Sequence, residues 1–103
     1  MRGRHHRVDG QVRQRAVPAL TGDAYVELGD TEKGIAKYLE AAEFAGNSFN
    51  TPLFLMKAAE INELEGRYDE ALNLYLRIQD EYPESTEGQS IEKYIARVKL
   101  LKK

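Results

Sequence analysis

The sequence predicts an all-α protein, in which antiparallel helical hairpins follow one another along the chain, about five helices in all. Three observations predict it. Apolar residues recur at helical spacing in successive segments, each bounded by glycine, proline or a capping side chain. No segment of five or more residues shows the strict alternation of a half-buried strand. The segments also repeat: setting Gly29 beside Gly66, a displacement of 37 residues, brings Gly34 onto Ala71 and Tyr38 onto Tyr75.

The first helix is predicted from about Pro18 to Leu28, with proline tolerated in its opening turn and Leu20, Ala24, Tyr25 and Leu28 as its apolar stripe. Gly29-Asp30 breaks it, and Thr31 is the expected cap of the second helix, which carries Ile35, Tyr38, Leu39 and Ala42. Gly46-Asn47-Ser48 ends that helix. Pro52 suits the start of a third, running through Leu55, Ala58, Ala59 and Ile61 to Leu64, with Gly66 as the stop. Asp69 is the expected cap of the fourth, with Ala71, Leu72, Leu74, Tyr75 and Ile78 inside. Pro83 ends it, because proline within a helix costs about 3 kcal/mol. In the last segment Thr86 and Gln89 are spaced as a capping box, and Ile91, Tyr94, Ile95, Val98 and Leu101 form one apolar stripe. The hairpins are expected over about 18–46 and 52–82, followed by a helix over about 86–101. Small residues where paired helices meet permit close approach, and the tyrosine four residues on lies one turn along the same face.

Length and composition narrow the function. A chain of 103 residues makes one modest domain. The absence of cysteine excludes disulfides, thiol chemistry and thiolate metal clusters. No apolar run approaches the roughly 20 residues needed to cross a bilayer, and the basic N-terminus lacks the apolar region of a secretory signal. A soluble protein is expected, cytoplasmic by default. Residues 1–15 hold Arg2, Arg4, Arg7, Arg13 and Arg15 against Asp9, while the remainder carries a net charge of −6. The chain therefore reads as an acidic body with a basic arm.

The spacing of small and aromatic residues resembles the tetratricopeptide repeat family. Ala59, Gly66, Tyr68, Ala71, Tyr75 and Pro83 carry the resemblance in the second copy, and Gly22, Tyr25, Gly29, Gly34 and Tyr38 in the first. Three positions depart from it: Asn62 at a usual aromatic site, Thr21 at a usual leucine and Gly46 at a usual proline. A standard repeat has about 34 residues, so the displacement implies about three extra near Ala45 to Thr51. The resemblance implies a right-handed stack of two repeats, with the first helix of each lining a concave face that holds an extended peptide or partner helix. The final helix then caps the stack, with Glu92, Lys93, Lys99, Lys102 and Lys103 keeping its outside wet. The start has no matching cover, unless the arm or a second copy of the chain supplies it.

On that concave face the expected partner-binding residues are Tyr25, Lys57, Glu60, Asn62 and Glu63, with Thr21 and Asp23 beside Tyr25. Asn62 and Tyr25 are the sharpest candidates, since an asparagine amide pairs with both the donor and the acceptor of a peptide backbone. For Glu60, Glu63 and Glu65 the leading reading is a solvated acidic surface, and partner binding is the alternative. As an acid–base pair Glu60 and Glu63 would need a closed pocket that the sequence does not promise. The glycines read as turn and packing residues, because neither phosphate-binding glycine motif occurs. No cofactor is expected. His5 and His6 are adjacent and lack the spacing of a metal pair; M-R-G-x-H-H also resembles the opening of an expression tag. The leading expectation is thus a non-enzymatic interaction or assembly scaffold for a protein or peptide partner, or for a second copy of itself. The alternative is a nucleic-acid-associated or regulatory protein acting through the arginine arm, without a recognition helix or zinc pattern to reinforce it.

Overall fold

The computed structural model describes residues 21–102, so the basic arm and the predicted helix start at Pro18 lie outside the described residues. Six helices and no strand occur among the described residues: α1 (Gly22–Glu27), α2 (Thr31–Ala45), α3 (Asn50–Leu64), α4 (Tyr68–Glu81), α5 (Thr86–Gln89) and α6 (Ile91–Leu101). They stack as hairpins in a short helical solenoid. α1 packs on α2, α2 on α3, α3 on α4 and α4 on α6, while the short α5 touches α3, α4 and α6.

The predicted stops hold, and several caps shift by a residue or two. Gly29, Gly46 and Gly66 have φ of 88°, 56° and 80°, the left-handed region in which a side chain is strained. Asp30, not Thr31, caps α2, because its carboxylate stands one residue earlier and accepts from the Lys33 N–H at 3.2 Å. α3 begins before Pro52, since Asn47 Oδ1 accepts from the Phe49 and Asn50 N–H groups at 2.9 and 2.7 Å. Arg67 precedes α4 without a side-chain cap bond, leaving Asp69 and Glu70 in the first turn, where they complement the helix dipole. Ser85, not Thr86, caps α5 by accepting from the Gly88 N–H at 2.9 Å. Ser90 then leaves helical geometry at φ −111° and ψ 10°, so the last predicted helix comes in two pieces.

Small residues set the spacing between the paired helices. A Cβ on Gly22 would overlap the Tyr38 ring, and one on Gly34 would overlap the Val26 side chain. In the second hairpin Ala59 and Ala71 are fully buried. The main core gathers Ala42, Leu55, Ala59, Tyr75, Ile78 and the inner face of α6, while Ile35, Tyr38 and Ala58 form a second cluster. α6 is held by its apolar stripe. Burial of Ile91, Ile95 and Val98 contributes about 1.5–3 kcal/mol each, whereas the exposed Lys102–Asp69 ion pair contributes at most about 1 kcal/mol. Leu101, predicted in that stripe, is 50% exposed where the helix runs out.

Candidate partner-binding face

Two units of the same design tie the hairpins together along one face. In the first, the Tyr38 hydroxyl of α2 donates to the Asp23 carboxylate of α1. Lys57 of α3 reaches that carboxylate at 3.5 Å, its Nζ 5.7 Å from the centroid of the Tyr38 ring. In the second, the Tyr75 hydroxyl of α4 donates to Glu63 Oε1 of α3 at 2.8 Å. Arg97 of α6 then clasps Glu63 with two bonds, Nε to Oε2 at 2.7 Å and Nη2 to Oε1 at 2.9 Å. Its guanidinium stands 4.8 Å from the Tyr94 ring, which in turn lies 5.6 Å from Tyr75. Each unit therefore joins a second-helix tyrosine, a first-helix carboxylate and a cation from the next first helix.

The second unit is the stronger. Its Glu63 side chain is only 10% exposed and is held by a bidentate guanidinium, whereas Asp23 is largely in solvent and meets a single ammonium. The Tyr38 hydroxyl, helped by Lys57, holds the Asp23 carboxyl below the usual carboxylate range. Burial, then the bonded carboxylates, push Tyr38 and Tyr75 well above the ordinary phenol value of 10.0. The hydrogen bonds to Glu63 raise Arg97 further.

These shifts have a consequence in alkali. A phenol that ionises less readily when folded contributes stability that is present below its unfolded pKa, about 10, and lost as the pH rises beyond it. Helicity is expected to fall above that pH as phenolate absorbance rises in step. Tyr38→Phe and Tyr75→Phe together should flatten the alkaline limb.

The structure separates the five candidate residues. Lys57 and Glu63 are engaged in the two units. Glu60 is half-buried beside them and lines a recess of about 430 Å³ with Glu63, Leu64 and Arg97. Asn62 and Tyr25 lie elsewhere on their helices, roughly 200° from Glu60 and Asp23 respectively. Asn62 is 3% exposed, and its Nδ2 donates to the Ala58 carbonyl at 2.9 Å. It lines a different recess, with Ile35 and Leu39 of α2 and Leu74 of α4. Tyr25 is half-buried, with Lys33 Nζ 5.8 Å from its ring centroid.

Sequence reasoning missed Arg97 and the tyrosine hydroxyls. A usable signal existed: Asp23 and Lys57, like Glu63 and Arg97, are opposite charges 34 residues apart. A further apolar groove of about 530 Å³ lies along α2 and α3, lined by Tyr38, Ala41, Phe44 and Phe54. No group of three or more His, Cys, Asp or Glu is placed to hold a metal ion among the described residues. No described helix is long and apolar enough to cross a membrane.

The Tetratricopeptide repeat family model matches residues 54–85, which span the second hairpin from within α3 to the turn after α4. With the stacked all-helical arrangement, that match decides the family-level likeness. This is a TPR-like fold. No curated protein and no solved structure matches the chain significantly. A TPR-like all-α solenoid is consistent in general with a protein–protein interaction scaffold.

Proposed function

We propose that the protein is a non-enzymatic interaction module that binds a peptide or partner helix on the face carried by α1, α3 and α6. The chain then consists of a basic arm over 1–15, two TPR-like repeats and a C-terminal capping helix. One observation carries the reading: Asp23, Lys57, Glu63 and Arg97 spend their charges on one another, leaving Glu60 beside them with no ion pair among the described residues. The paired groups fix the shape of the face, and Glu60 supplies its unspent charge. The partner therefore presents a basic residue or N–H donor to Glu60. Peptides selected from a random display library on the immobilised full chain test this. They are expected to be basic, and to lose at least tenfold in affinity on Glu60→Lys while the helicity of the chain stays unchanged. Selection of acidic peptides, or indifference to Glu60→Lys, would count against the reading.

Self-association is the second reading, favoured by Phe44, 92% exposed at the rim of the groove shared with Phe54. Light scattering across a concentration series distinguishes it, because a dimer closed through this groove is lost on Phe44→Glu. The nucleic-acid reading rests on residues outside the described ones. It predicts binding that weakens steeply with salt and disappears with residues 1–15.

A further inference from the structure

Asn62 is a buried polar side chain whose hydrogen-bonding capacity the fold does not consume. Nδ2 is held by the Ala58 carbonyl, whereas Oδ1 accepts no hydrogen bond among the described residues. No fully buried side-chain nitrogen or oxygen there lacks a partner, so Oδ1 must reach solvent. Asn62 lines the recess of about 320 Å³ between α2 and α4, whose apolar wall is Ile35, Leu39 and Leu74, with Arg67, Glu70 and Asn73 around it. The internal repeat accounts for the space. The 37-residue displacement sets Asn62 on Tyr25, so the second copy carries a short amide where the first carries a phenol ring.

We propose that this recess is a socket for a tyrosine side chain presented by a partner protein. The ring packs on Ile35, Leu39 and Leu74, and its hydroxyl donates to Asn62 Oδ1 while Nδ2 stays on Ala58. The fit is reasonable in size, since a cavity of about 150 Å³ accepts benzene and this open recess is larger. The charge of the lining agrees. Arg67 at the rim is already paired with Glu32, while Glu70 in the lining has no ion pair among the described residues, so a hydroxyl donor suits the recess better than a carboxylate. The acceptor distinguishes tyrosine from phenylalanine, because a phenyl ring would leave Oδ1 covered and unpaired. The socket lies away from Glu60, so it stands or falls independently of the face described above.

The test is a nuclear magnetic resonance titration of the isotopically labelled full chain with p-cresol, and separately with toluene. The expected result is a saturating p-cresol shift of the Asn62 side-chain amide and the Leu39 and Leu74 methyl signals, with a dissociation constant in the millimolar range. Toluene should bind at least tenfold more weakly. Asn62→Leu should erase the preference for p-cresol, and Asn62→Tyr should fill the recess and abolish both responses. Absence of a saturating shift at these signals would overturn the proposal, as would equal affinity for the two probes in the unmodified chain. Movement of the same signals with protein concentration, before any probe is added, would assign the recess to a second copy and overturn it too.

Discussion

Tyr75→Ala is expected to destabilise the protein by about 3–5 kcal/mol, as a large aromatic residue lost from a fully buried site does. Small domains are held by about 5–15 kcal/mol in total, so the variant should be largely unfolded in mild denaturant. Two losses combine. The ring fills the core between α3, α4 and α6, and its hydroxyl bonds the nearly buried Glu63 carboxylate. Tyr75→Phe separates them, keeping the ring and removing about 1.5–3 kcal/mol for the bond to a charged group. Urea unfolding followed by circular dichroism measures both. A loss of about 0.5 kcal/mol or less for the alanine variant, that of an ordinary surface change, would mean that the ring is not central to the core.

Gly88→Ala is expected to cost about 1–3 kcal/mol, although alanine is ordinarily the better helix former by about 1 kcal/mol. Gly88 has no unusual backbone angle, so the objection is one of space. A Cβ there would overlap the Tyr82 carbonyl oxygen and stand 2.8 Å from the Pro83 carbonyl oxygen. Those atoms belong to the backbone of the turn that Pro83 fixes and cannot swing aside as a side chain would. Relief requires α5 to move off the turn, breaking the bond from the Gly88 N–H to Ser85. Hydrogen exchange should show Gly88 and Gln89 losing protection while α3 and α4 keep theirs. A variant as stable as the parent would show that α5 tolerates displacement.

Much of the fold was legible in the sequence because its punctuation is local. Gly29, Gly46 and Gly66 all take left-handed backbone, and Pro83 follows the last residue of α4 by two. Caps were less legible, since Asp30 and Ser85 compete with Thr31 and Thr86 one residue away and only geometry decides between them. The break at Ser90 has no glycine or proline to announce it. The candidate face was harder still. α3 lies between α2 and α4, so Leu55, Met56, Ala58 and Ala59 surround it with apolar contacts and no single stripe assigns its sides. Asn62 was therefore grouped with Lys57, Glu60 and Glu63, although two residues from Glu60 turn it roughly 200° away. The Glu63–Arg97 clasp is a tertiary contact between α3 and α6, across 34 residues of sequence, and local pattern does not reveal it.

The most direct test of the central claim is a map of backbone amide shifts on adding a library-selected peptide to the full chain. The account predicts that the shifts concentrate at Lys57, Glu60 and Arg97, with Asp23 following as its ion pair is disturbed. Shifts confined to α2 and α4, or spread evenly through the chain, would contradict it.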